Sequence, residues 1–321
     1  MRRYAVFLFI CVFLFFPNEA RADGPTVSVS ANTLPENAEI AVSGSIPYVN
    51  ISGRSAETNA FKEKINDKIQ GAARSKIDEA IKSRAKAISF YRYDFKPGGG
   101  DIINIVIYAE ISSGNMARRE AASVVFDKKE QKILGINDVV GANGAKLASA
   151  YVNSLRKKSP SKYVSSFSGI SDGHDFFVTG NELQILFDSY ALTKGNSEIE
   201  IVKIPLSAFR SFKLQLEGED MPANNLAPLL PLRDVAENFG FSVEWKGAGQ
   251  PISVSRGSFE TSVTIGVNEY LKGSAVIKLE SAPASHNGAT YVPITFFEEV
   301  LGLSYYVDEN GEATVSELVM D

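Results

Sequence analysis

The sequence predicts an α+β protein of two domains, each an antiparallel sheet packed with helices, preceded by a signal peptide. Three observations predict it. A short apolar run follows Arg2 and Arg3 and leads to Ala20-Arg21-Ala22. A long amphipathic helical pattern is followed by several strand patterns. A strand–proline–helix–glycine–strand phrase then occurs twice near the C-terminus. The 321 residues suit two domains. With 44% hydrophobic and 22% charged residues, the composition is that of a globular chain. The expected division is a signal peptide at 1–22, a first domain at 23–212, a linker at 213–228 and a second domain at 229–321.

The apolar run Tyr4–Phe16 has the length of a signal h-region and falls short of the ~20 residues of a spanning helix. Cleavage after Ala22 is expected over retention as an anchor, so the mature chain would start at Asp23 and be secreted to the cell envelope. Cys11 lies inside the run and is the single cysteine, which leaves the mature chain none for a disulfide. The whole chain has 33 basic and 38 acidic residues, net −5; without Arg2, Arg3, Arg21 and Glu19 the balance is 30 to 37, net −7. That balance argues against nucleic acid as a partner and is compatible with a cationic protein.

Strands are expected from Thr26 and over Ile46–Ile51, then a helix from Glu57 to Ile88. Phe61, Ile65, Ile69, Ala73, Ile77, Ile81, Ala85 and Ile88 form its apolar stripe. Lys62, Lys64, Lys68, Arg74, Lys76, Lys82, Arg84 and Lys86 lie on the other faces. Such a helix can lie on an anionic surface or present a solvated outer face while packing on a sheet. The second is favoured because strands follow directly: Ser89–Phe95, Ile102–Ile111 and Ala121–Asp127, with a turn at Pro97–Gly100. A turn at Asp127–Lys132, a helix near Ala145–Lys157 with Leu147, Ala150, Tyr151 and Leu155 on its apolar face, and a hairpin centred on Gly180-Asn181 come next. Glu198–Phe209 closes the first domain. Gly218, Pro222 and Pro228 among acidic residues mark the linker.

The repeated phrase reads LLPLRDVAENFGFSVEW from Leu229 and YVPITFFEEVLGLSYYV from Tyr291. At constant offset Pro231 matches Pro293, Glu237 matches Glu299, and Gly240 matches Gly302. Leu232, Val235, Phe239 and Phe241 match Ile294, Phe297, Leu301 and Leu303. The proline suits the start of a helix and the glycine its end. LPLRDVAENFG, with HNGATYVP leading into the second copy, resembles the N-terminal stalk domain of copper amine oxidases over residues 226–318. Thr295 stands where that family usually has arginine. The resemblance implies a module of attachment and binding. It does not imply an amine oxidase, because His174 and His286 are the only histidines and cannot build a three-histidine copper site.

IPYVNISG before a helix containing KIND, VVFDKKEQKILGINDVV, and FFVTGNELQILFDSYAL with IEIVKIPLSAF resemble a second family over residues 26–212. It comprises the extracellular part of lysozyme-sensing anti-sigma factors and the non-catalytic N-terminal region of peptidoglycan deacetylases. Ser189 replaces the proline of that family's F-x-P-Y element. The resemblance implies recognition of a wall-associated protein such as lysozyme, or of a glycan. No deacetylase pattern is read between residues 26 and 321, and neither a membrane span nor a cytosolic helical segment is expected beside the region that resembles the ectodomain.

The residue inventory offers little chemistry. His174 lies between Asp172 and Asp175 near Ser171, but no G-x-S-x-G elbow presents a nucleophile. Ser285–Gly288 reads as a loop tip, and Asp308–Gly311 as a hairpin turn. There is no H-E-x-x-H, C-x-x-C or calcium-loop pattern. Glu298 and Glu299 diverge on a helix, and Glu237 and Glu299 suit a helix surface. Tyr91, Tyr93, Tyr270, Tyr305 and Tyr306 are aromatic leads for sugar or protein contact, against the alternative of half-buried packing. No catalytic, cofactor-binding or metal-ligating residue is assigned, no cofactor is expected, and ligand-binding residues are left unassigned. The function expected is a secreted, non-enzymatic envelope binding or adaptor protein. A rival is a peptidoglycan hydrolase or deacetylase with an unrecognised site.

Overall fold

The computed structural model describes residues 25–34, 39–53, 55–216 and 227–319. The expected signal peptide and the centre of the expected linker, 217–226, lie outside the described residues. The chain divides into two compact units with interleaved segments. The first holds residues up to Leu134, Ser161–Ser165 and Asp175–Lys203, and the second the remainder. Both are α+β.

The first unit opens with β1 (Val27–Thr33) and β2 (Ala41–Ile51), paired antiparallel. Helix α1 (Ala56–Lys82) starts on Ser55, whose Oγ accepts the Thr58 N–H at 3.0 Å. It ends at Ser83, with Arg84 at φ 56° and the Ala85 N–H donating to Ala80 O. The helix is therefore shorter than expected. Ile88 continues the helical spacing but belongs to β3 (Ala87–Gly99), because the left-handed Arg84 turns the chain before the stripe is finished. The other strands are β4 (Ile102–Ser113), β5 (Met116–Asp127) and β6 (Lys132–Leu134). The six strands lie in sequence order. All pairs are antiparallel except β2–β3, which is parallel and bridged by α1, since only a long crossover can return the chain in the same direction.

Phe61, Ile65, Ile69, Ala73 and Ile77 of α1 are buried against Ile105, Ile107, Ala109 and Ile111 of β4 in one core cluster. Each fully buried aliphatic side chain contributes roughly 1.5–3 kcal/mol. Asn66 adds a polar lock: its amide accepts the Val49 N–H at 2.8 Å and donates to Val49 O at 2.9 Å, tying helix to strand. At Gly44 (φ +93°) a Cβ would stand 2.1 Å from the Phe90 carbonyl oxygen, so only glycine admits the close approach of β2 to β3.

The chain next forms α2 (Ile136–Val140) and α3 (Gly144–Lys158), both in the second unit. The buried face of α3 is Ala145, Leu147, Ala148 and Val152. Ala150 is exposed, and Tyr151 and Leu155 are half-buried, so the apolar face is rotated from the expected one. Back in the first unit, β7 (Phe176–Thr179) and β8 (Glu182–Phe187) form the expected hairpin, with β9 (Glu200–Pro205), which belongs to this unit up to Lys203, beside β8. Phe177 and Leu186 cover Val106, Tyr108 and Ala121 on the sheet face opposite α1. Asn104 repeats the lock of Asn66, accepting from Val178 N at 3.0 Å and donating to Val178 O at 2.7 Å.

In the second unit, β10 (Phe209–Gln215) already includes Lys213. The repeat follows as β11 (Leu229–Pro231), α4 (Leu232–Asn238) and β12 (Ser242–Trp245). After β13 (Ile252–Arg256), β14 (Phe259–Val263), β15 (Tyr270–Lys272), β16 (Ala275–Ile277) and β17 (Ala284–His286) comes the second copy. It consists of β18 (Ala289–Pro293), α5 (Ile294–Glu299) and β19 (Ser304–Val307), and β20 (Glu312–Leu318) ends the chain's elements. Both prolines sit at the residue before their helix, and Gly240 and Gly302 have φ of 76° and 74°. All four apolar pairs of the repeat are buried in one cluster. Strand β11 pairs with β18, while β12–β13–β14 and β19–β20–β10 are three-stranded sheets. Helix α3 joins this unit through Asn143, whose Nδ2 donates to Ser316 Oγ of β20 at 2.7 Å.

Candidate binding surface

The second unit carries most of the exposed apolar side chains. Ile265, Val267, Leu271 and Val276 are all at least 41% exposed and fall within one short segment, with Trp245 (62%) on β12. The segment's polar groups hold it in place. Asn268 accepts from Leu279 N at 3.0 Å and donates to Leu279 O at 2.7 Å. Tyr270 Oη donates to Ser281 O at 3.0 Å, and Thr261 Oγ1 to Leu271 O at 2.7 Å. Gly273-Ser274 joins β15 to β16, with Gly273 at φ 64°, as a two-residue hairpin turn with glycine first requires.

The inner face of this hairpin is Tyr270, packed on Phe296 at 5.4 Å between ring centroids, and its partner Ile277. Side chains alternate across a strand, so the next pair, Leu271 and Val276, faces outward. Tyr270 is thus fully buried, and burial, with the charge of Glu280 beside it, pushes its phenol upward. It is a core residue and not a contact aromatic. Tyr91 and Tyr306 are exposed, and Tyr93 and Tyr305 are half-buried. Burial first, then Glu298 and Glu280, raise the Tyr305 phenol.

The other sequence candidates are structural. Asp172 Oδ1 accepts the Asn137 N–H at 2.6 Å, capping α2, and Asp175 Oδ1 accepts the Ser123 N–H at 2.6 Å. His174 donates its backbone N–H to Ser171 O, as a turn does. His286 lies on β17, its ring edge-on to Tyr291. Glu298 pairs with Lys146 whereas Glu299 is exposed, so the two carboxylates diverge. Glu237 pairs with Arg233 on the surface of α4. At the position equivalent to Arg233, Thr295 Oγ1 donates to Glu280 at 2.6 Å. Asp308 Oδ1 accepts from Asn310 N and Glu312 N, which holds its carboxyl below the usual range and makes the hairpin turn. Among the described residues no group of three His, Cys, Asp or Glu is placed to hold a metal, and no helix is long and apolar enough to cross a membrane.

The first unit holds a buried charge cluster that periodicity hides. Lys76, which the helical pattern places among the solvent-facing cations of α1, is 13% exposed, with Nζ 2.7 Å from Asp188 and 3.2 Å from Glu120. The Glu120 oxygen receives Lys76 off the hydrogen-bonding direction, so that contact is Coulombic. Arg118 Nε donates to the other oxygen at 2.7 Å. Burial opposes the Lys76 ammonium, but the carboxylates of Asp188 and Glu120 outweigh it and raise its pKa to about 12. Ser189 donates its N–H to Arg119 O at 2.9 Å, a bond that a proline at this position could not make.

Residues 223–316 match the family model of the copper amine oxidase N-terminal domain. The chain is similar to a protein named "Protease inhibitor" from Brevibacillus choshinensis, 34% identical over 89 residues, which cover 28% of this chain and 27% of that one. It thus spans about a quarter of the length of that curated relative. A crystal structure of a DUF3298 family protein from Pseudomonas aeruginosa PAO1 aligns at a TM-score of 0.36 and 10% identity, over 57% of this chain and 89% of that one.

The apolar display at 265–276 escapes sequence reasoning because each of its residues is ordinary alone. The signal is present in YLKGSAVI: a Gly-Ser turn fixes which residues oppose one another, and a buried Tyr270 forces Leu271 and Val276 out.

Proposed function

We propose that this chain is a secreted, non-enzymatic binding protein of the cell envelope that contacts a protein partner through residues 265–276. The supporting observation is the concentration of exposed apolar side chains on a segment held by its own hydrogen bonds. Grouped exposed apolar side chains mark contact surfaces, and a surface already held in place loses less freedom on binding. The name of the Brevibacillus choshinensis relative favours a peptidase as the class of partner to try first. Lysozyme and a wall glycan, implied by the resemblance of the N-terminal region, are the competing ligands.

The test mixes the chain from Asp23 with secreted serine, cysteine and metallopeptidases, with lysozyme and with insoluble peptidoglycan. Complex formation, peptidase inhibition and product release from the wall are measured. The expected result is a stoichiometric complex with a protein, weakened at least tenfold by Leu271→Asp. Release of sugar or acetate from the wall, with no protein complex, would overturn the proposal.

A further inference from the structure

We propose that the outer edge of β16 accepts an extended, acidic peptide segment of the partner as a third strand; this rests on the protein-partner reading above. In a hairpin with a two-residue turn, the pair next to the turn exchanges ladder hydrogen bonds, and the following pair points its N–H and C=O away from the hairpin. Here the first pair is Lys272 with Ala275, and the following pair is Leu271 with Val276. The outward Leu271 C=O accepts the Thr261 hydroxyl, as this phase of the ladder requires on the β15 side. On the other side, Val276 turns its N–H and C=O to an edge that no other strand joins among the described residues.

Charge selects the occupant. Strand β16 itself is uncharged and is flanked by Lys272 at the end of β15 and Lys278 directly after β16, with no acid between them and Glu269 and Glu280 beyond, on a chain of net −5. Lysines on an edge repel a second copy of the same strand and attract an acidic one. The exposed Leu271–Val276 pair supplies the apolar contact for alternate side chains of the incoming strand.

The probes are a blocked peptide alternating valine and glutamate, its valine–lysine counterpart, and the acidic peptide N-methylated at alternate amides. They are titrated into the chain from Asp23 at low ionic strength, with amide exchange followed at Val276. The acidic peptide should bind at least tenfold tighter than the basic one, lose at least tenfold on N-methylation, and slow exchange at Val276. Val276→Pro deletes the outward N–H without removing a ladder bond and should lose at least tenfold, whereas Val276→Thr should bind as the parent does. Equal binding of the acidic and basic peptides, or of Val276→Pro and the parent, would overturn strand addition. Absence of peptide binding, with a panel protein still bound, would overturn strand addition and leave the protein-partner reading standing. Absence of both would overturn both.

Discussion

Leu230 pairs with Val292 across β11 and β18, and the two residues are equivalents in the two copies of the repeat. The flanking pairs, Leu229 with Pro293 and Pro231 with Tyr291, exchange into one another when the copies are exchanged. The register is therefore that of a local two-fold axis through the Leu230–Val292 pair. Both side chains are fully buried, so the repeat is bound to itself at its centre. Leu230→Ala should cost about 2–4 kcal/mol and Val292→Ala about 2 kcal/mol. As direct neighbours, the two should be non-additive by at least ~0.5 kcal/mol in a double-mutant cycle read by urea denaturation.

Three asparagines each hold one residue's N–H and C=O: Asn66 on Val49, Asn104 on Val178 and Asn268 on Leu279. Asn104 is 1% exposed, so its removal strands a buried donor and a buried acceptor. Asn104→Ala should destabilise by about 2–4 kcal/mol in urea denaturation. Asn104→Asp should not rescue it, because a carboxylate cannot donate to Val178 O.

Two glycines should respond with opposite signs. Gly44→Ala meets the Phe90 backbone at 2.1 Å in a left-handed conformation and should destabilise by more than ~3 kcal/mol. Gly71 lies inside α1, exposed, with open space around its Cβ position. Gly71→Ala should stabilise by about 0.5–1 kcal/mol, read as a rise in Tm.

Lys76 links stability to alkaline pH. Its folded pKa of about 12 exceeds the ordinary 10.5, so its contribution is fully present below about 10.5 and is lost as pH rises through about 12. The shift corresponds to about 2 kcal/mol. The stability difference between the parent and Lys76→Met should be constant to about pH 10 and narrow by about that amount towards about pH 12. Denaturant titrations across this range measure it.

Whatever repeats or alternates locally is legible in the sequence. The two copies around Gly240 and Gly302 and the hairpin at Gly180 carry their own turn chemistry, and the helix beginning near Ala145 carries its own amphipathic pattern. Ile88 satisfies helical spacing and strand alternation alike, and the left-handed Arg84 that decides between them has no side-chain signature. Lys76 has the pattern of a surface cation because its partners, Glu120 and Asp188, come from segments distant in sequence. The Asn143–Ser316 bond that ties α3 to β20 is equally nonlocal. The candidate surface is hidden for a different reason. Exposure of Leu271 and Val276 follows from the burial of Tyr270, and a tyrosine beside a turn reads as a surface residue until its core partner Phe296 is known.

Titration of the chain from Asp23 against the peptidase and lysozyme panel, in parallel with Leu271→Asp, tests the binding role most directly. A saturable complex with one of these proteins, weakened at least tenfold by the substitution while the fold is retained, is the predicted result. A complex that Leu271→Asp leaves unchanged, or turnover of peptidoglycan without any protein complex, would contradict it.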